Sequence, residues 1–174
     1  VEGFTKLGLN PRDIKYVIIS HAHGDHDQGA ALLQSRYGAK VVMGSADWDA
    51  TLQRPANAAG GVPKRDITVG PEGYKLTLGE TTVDIIPTPG HTPGHQSLLV
   101  KLPKTGAVLL SGDAVHFKDN WDNRRVPENN DSQDKSAASL QRMADVMAKE
   151  KAQLWINHDK AQRDGQKLSP GFYE

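Results

Sequence analysis

The sequence predicts an α/β protein. Three observations carry that prediction. Short β-branched or aromatic runs alternate with segments bearing helix caps. One long segment, Asp134–Glu150, places Leu140, Met143, Ala144 and Met147 on a single helical stripe. And each cluster of histidine or aspartate directly follows a predicted strand: His21 after Ile19, His91 after Ile86, Asp113 after Leu110, His158 after Ile156. Ligand-type side chains on loops at strand ends can converge on one edge of a sheet.

Taken in order, Asn10-Pro11 reads as an N-cap followed by proline at the first helical position, giving a short helical turn. Tyr16–Ser20 reads as a buried strand. Asp27 is placed to cap a helix through Ala30, Leu33 and Tyr37, with Gly38 as its terminator. Lys40–Met43 is the next strand, and Ser45 is placed to cap a helix carrying Trp48 and Leu52. Residues 54–66 read as loop. Strands follow at Lys75–Leu78, Thr81–Ile86, Ser97–Leu102 and Ala107–Leu110, then a long loop from Phe117 to Asp131, the helix, and a last strand at Gln153–Ile156. Such a pattern, with several hairpins, predicts a mixed sheet covered by helices.

Composition narrows the function. The 174 residues fit one domain over 1–174, and the formal net charge is zero from 21 basic and 21 acidic residues. With no basic run, neither nucleic acid nor an anionic membrane is an expected partner; a small molecule is. There is no cysteine, so any metal site must use histidine and carboxylate. That absence fits cytoplasm and periplasm equally and leaves localisation open.

The dense run is His21-Ala22-His23-Gly24-Asp25-His26. Alternate side chains can face one centre while their neighbours face a second, so His21 and His23 can hold one ion and Asp25 and His26 another. His91 and His95 lie between two Pro-Gly pairs in Thr88–His95, which make stiff turns. Asp113 in Ser-Gly-Asp and His158 in Asn-His-Asp are weak signals singly and gain force from their shared placement.

Together these segments resemble the metallo-β-lactamase superfamily, and Thr88–Leu99 with the Asn157-His158-Asp159 ending is most similar to its N-acyl-homoserine lactonase branch. The resemblance implies an αββα sandwich with two divalent metal ions at one edge, zinc first, with iron, manganese and cobalt as alternatives. It assigns His21, His23 and His91 to one metal, Asp25, His26 and His158 to the other, and Asp113 as a bridge. His95 is expected to support the loop. The implied reaction is opening of a small lactone or ester by metal-activated water, with Asp25 or Asp113 passing the proton to the leaving group. Thioester or β-lactam hydrolysis, or metal binding without catalysis, are the alternatives.

Two departures matter. The lactonase branch often has a tyrosine after the bridging aspartate, where it can stabilise an oxyanion; here His116 stands three residues after Asp113, and that catalytic role either passes to His116 or is lost. Family members also have a longer run of strands before the first motif. Only twenty residues precede His21, so about half of the first sheet is expected to be missing, with a homo-oligomer covering the exposed edge. Trp48, Phe117 and Trp121 are candidate pocket walls for an acyl chain, or packing for the core and the loop base. Arg124 and Arg125 are candidate anion binders or solvated surface charges.

Overall fold

Short strands need neighbours to be stable, and here they find them in two separate sheets. The computed structural model describes residues 2–168 and 170–174. The first sheet is parallel, in the order β1 (Tyr16–Ile18), β2 (Lys40–Gly44), β3 (Ile67–Val69). The second is five-stranded, in chain order: β4 (Tyr74–Leu78), β5 (Thr81–Pro87), β6 (Gln96–Leu102), β7 (Gly106–Leu110) and β8 (Gln153–Trp155). Its first four strands are antiparallel, while β8 returns parallel to β7. That return needs a long crossover, and the chain supplies one through α5 and α6. The helices are α1 (Glu2–Lys6), α2 (Gly24–Asp27), α3 (Ala30–Tyr37), α4 (Ser45–Leu52), α5 (Lys118–Asp122), α6 (Gln133–Glu150) and α7 (Lys160–Asp164).

The alternation of side chains along each strand fixes the layers. In β2, Val41 and Met43 turn outward to pack with Ala30 of α3 and Trp48 of α4. Val42, between them, packs inward with Val69 and Ile85. In the second sheet Leu99 and Leu109 pack outward with Leu140 and Met143 of α6, and Leu98 joins the cluster between the sheets. The result is helix, sheet, sheet, helix: the implied αββα sandwich, in place of the one mixed sheet that periodicity alone suggested. Leu109, fully buried, is the kind of residue whose truncation to alanine costs about 2–5 kcal/mol.

Several local expectations are corrected. Asp27 does not cap a helix; it ends α2, and its carboxylate pairs with Arg54 Nη1 at 2.6 Å. Gly29 starts α3 without a side-chain cap, and Gly38 ends it at φ 79° as expected. Ser45 is the first helical residue of α4, with Gly44 before it as cap. The segment after residue 66 closes with β3, whose Ile67-Thr68-Val69 run is short enough to be taken for loop. The Phe117–Asp131 segment contains α5, and α7 follows His158. Tyr16–Ile18 is only half-buried, because β1 pairs with β2 alone and its other edge is open among the described residues. No helix among the described residues is long and apolar enough to cross a membrane.

Candidate metal centre

Four strand ends deliver the site. β1 runs on through Ile19, whose N–H donates to Val42 O, into the fully buried His21. Ser20 Oγ lies 3.0 Å from His21 Nδ1, which leaves Nε2 to face the site. His23 is the extended residue before α2, and the α2 turn carries Asp25 and His26. After β5, Thr88 N–H donates to His95 O and Gly90 N–H to Thr92 O, closing the tight loop that presents His91. After β7, Asp113 sits in a 3-10 turn, Gly112–Ala114. Gly112 has φ 53°, and a Cβ there would lie 2.7 Å from His95 Nε2, so only glycine lets the turn approach that ring. His158 follows β8.

All eight candidate site residues, the seven expected ligands and His116, meet here. The first set is tight: His23 Nδ1 is 3.0 Å from His21 Nε2 and 3.1 Å from His91 Nε2. In the second, Asp25 Oδ2 is 3.2 Å from His26 Nε2, and the ligand atoms of Asp25, His26 and His158 lie within 4.8 Å of one another. Asp113 stands between the sets. Its carboxylate is 3.8 Å from His21, 3.4 Å from His26, 3.6 Å from His91, 3.4 Å from His116 and 3.1 Å from His158, each through Nε2.

Buried imidazoles crowded together disfavour one another's charged forms. Burial, then repulsion from the neighbouring rings, pushes His21 far below the ordinary histidine range. Burial also lowers His91, against the raising effect of its Asn130 contact. His26 is raised, chiefly by the Asp113 carboxylate 3.4 Å from its Nε2. Burial alone would raise the Asp113 carboxyl, but the His116 and His26 rings, each 3.4 Å away, outweigh it and hold the group below the usual carboxylate range. Asp113 Oδ1 and His26 Nε2 are buried without a hydrogen-bond partner among the described residues. Unpartnered buried acceptors facing an anion are costly, and a divalent cation satisfies them. The donor set, imidazole plus carboxylate, suits zinc, iron, manganese or cobalt.

Support comes from residues behind the ligands. His95, expected to brace its loop, accepts the Asp113 N–H at Nε2 (2.9 Å) and lies 2.9 Å from Thr88 Oγ1 through Nδ1; burial lowers its pKa to about 3. Two supports escaped the sequence reading. Asp47, almost wholly buried in α4, accepts from Ala22 N–H (2.8 Å), Thr92 Oγ1 (2.8 Å) and Gly94 N–H (2.7 Å), and so ties the His21–His26 loop to the His91 loop. Its one signal was an acid beside the core residue Trp48. Asn130 Oδ1 lies 3.0 Å from His91 Nδ1, from inside a long loop where nothing local marks it.

The pocket-wall candidates divide. Trp48 is core, with Nε1 donating to Ile67 O at 2.9 Å. Trp121 packs on the α6 core, with the Arg124 guanidinium 4.4 Å from its ring centre. Arg125 pairs with Asp119 at the surface. Phe117 alone is exposed beside the site, its ring 6.3 Å from that of His116. A cleft of about 540 Å³ opens against the second set, lined by Asp25, His26, His158 and Arg163 among others.

Residues 2–149 match the family model described as the metallo-beta-lactamase superfamily. The chain is 29% identical over 178 residues to the N-acyl homoserine lactonase AttM of Azorhizobium caulinodans, covering 97% of this chain and 66% of that protein. It is 32% identical over 168 residues to an N-acyl homoserine lactonase of a Bacillus species, covering 96% and 64%. A solved N-acyl homoserine lactone hydrolase, holding the product N-hexanoyl-L-homoserine at its catalytic metal centre, superposes with a TM-score of 0.80 at 27% identity, covering all of this chain and 67% of that one. The chain thus spans about two thirds of the length of the curated relatives it matches.

Proposed function

The chain belongs to the metallo-beta-lactamase superfamily, and we propose from that premise that it is a dinuclear metal-dependent hydrolase opening a small lactone or ester, an N-acyl homoserine lactone first among them. The observation that carries this reading is the Asp113 carboxylate ringed by five imidazoles between two ligand sets. The likeness to lactone hydrolases supplies the substrate class.

His21, His23 and His91 would hold one ion, Asp25, His26 and His158 the other, and Asp113 would join them. Bound there, two divalent ions make water nucleophilic near neutral pH and polarise a carbonyl; zinc is the first choice.

The chain's own groups do the rest. Asn130 accepting from His91 Nδ1, and Ser20 hydrogen-bonded to His21 Nδ1, present the Nε2 lone pairs of both rings to one point. Asp25 is the exposed carboxylate of the site, at the mouth of the cleft, where it can take a proton and release it to the leaving alkoxide. Asp113 is the alternative proton carrier. Exposed Phe117 offers an apolar surface to an acyl chain.

Metal-loaded and chelated protein should be assayed side by side on an acyl-homoserine lactone, an aryl ester, a thioester and a cephalosporin. Lactone turnover that chelation abolishes is the expected result. Preferential thioester or cephalosporin turnover would move the substrate class. No turnover with about two ions bound would sink the hydrolase reading in favour of metal binding without catalysis.

A further inference from the structure

His116 is brought to the site by no motif of its own. It follows the 3-10 turn that carries Asp113, and buried Val115 between them anchors that turn in the core. Its ring is consequently fixed: it stacks on His158 at 5.5 Å and 20° and meets His91 edge-on at 5.1 Å. Nε2 points at Asp113 Oδ2, 3.4 Å away. The ligand-type atoms of His91, Asp113 and His116 lie within 4.8 Å of one another, the same mutual spacing that marks both His21–His23–His91 and Asp25–His26–His158.

That 3.4 Å gap is long for a charge-assisted hydrogen bond, which runs about 2.7–2.9 Å. It suits two ligands of one ion: a nitrogen and an oxygen each about 2.0–2.2 Å from a zinc expanded to five ligands stand roughly 2.8–3.8 Å apart. The other nitrogen, Nδ1, is buried with no partner among the described residues. With its proton on Nδ1, the ring turns the Nε2 lone pair toward the lone pairs of Asp113, an arrangement that is repulsive unless a cation lies between them.

We infer that His116 Nε2 is a further metal ligand, joining His91 and Asp113 on the ion they share, so that the cluster offers six imidazoles where the family resemblance assigns five. The inference rests on the dinuclear reading above. It also excludes the oxyanion-donor role considered for His116, because an Nε2 bound to metal has no proton to give.

Cobalt(II) is the probe, added to the whole chain, with His116→Ala and His116→Phe as variants; the second keeps a ring against His158. Proton NMR of the cobalt protein reads ligation directly, because each ligating imidazole gives a strongly shifted, solvent-exchangeable N–H signal. The His116 signal should stand out, its Nδ1 being shielded from water. The expected result is loss of one such signal in both variants, a changed visible spectrum, and about tenfold or greater weakening of one of the two cobalt-binding steps. Two cobalt ions bound by His116→Phe, with the full set of shifted signals and an unaltered spectrum, would overturn the inference and leave the metallohydrolase reading intact. Failure of the unaltered protein to bind cobalt at all would bring down both.

Discussion

The two ligand sets differ in how the fold holds them. In the first, the His21 and His91 side chains are 0% and 6% exposed, and only His23 reaches solvent. Each buried ring has a hydrogen-bonded partner behind it, and Asp47 ties the two supporting loops together. In the second, the Asp25 and His158 side chains are 65% and 39% exposed, and their polar contacts run to other site residues rather than to the scaffold. One set is part of the core and the other is mounted on its rim. A ligand set already ordered by the core loses less conformational freedom when an ion binds, so the buried set should bind first and release last.

The largest effect should come from the residue common to both sets. Asp113→Ala should lower lactone kcat/KM by more than about 100-fold, the upper end of what losing an outer partner of a ligand costs, and should lower occupancy of the rim ion. Kinetics with parallel metal analysis would check it. Unchanged turnover in the metal-replete variant would refute the mechanism and the idea that the two sets act together.

Next in size is Asp47→Ala. It strands the Ala22 and Gly94 N–H groups and the Thr92 hydroxyl, and each unsatisfied buried group costs about 1–3 kcal/mol. A total near 3 kcal/mol corresponds to a fall in Tm of roughly 6–12 °C for a domain of this size. His158→Ala, by contrast, should leave the Tm of the metal-free protein within about 2 °C, as exposed substitutions do. Equal losses in the two variants, measured by calorimetry of metal-free protein, would erase the distinction between core and rim.

Metal removal sharpens the same contrast. Titration with a chelator should release one ion at a concentration about tenfold lower than the other, and in His158→Ala the weaker ion should be absent from the start while the tighter one is retained. Simultaneous release of both would mean that Asp113 couples the sets more strongly than their different burial separates them.

This division also decides what could be read from the sequence. The clustering of the candidate ligands was legible because metal chemistry admits few side chains, and dense spacing such as His21–His26 rarely has another cause. The sandwich was legible through the resemblance and not through periodicity, since a run such as Lys40–Met43 does not reveal whether its partner strand lies in the same sheet or the next. Asp47 and Asn130 were not legible. Each acts across the fold, on residues 25 or more positions away, and an aspartate in a helix or an asparagine in a loop is ordinary in its local setting. Trp48 stayed ambiguous for the converse reason: an aromatic side chain near a site can fill the core as readily as a pocket, and burial alone decides which.

The smallest expected effect is on acid stability of the metal-free protein. His95 is buried with a pKa lowered from 6.5 to about 3. The folded state keeps it neutral, while the unfolded chain takes up its proton below about pH 6.5. The stability it contributes is therefore complete above pH 6.5 and is lost progressively as pH falls toward 3. His21, lowered chiefly by burial, acts in the same sense. His26 opposes them: its pKa is raised through Asp113, so its contribution is fully present below pH 6.5 and lost as pH rises through its folded value. The net expectation is a modest decline in Tm between pH 7 and 5, with a flatter slope in His95→Gln whatever that variant's absolute Tm. An identical slope in the variant would mean that the neutral ring behind Asp113 is not what the core protects, and the decline would then belong to His21 and the buried ligand set itself.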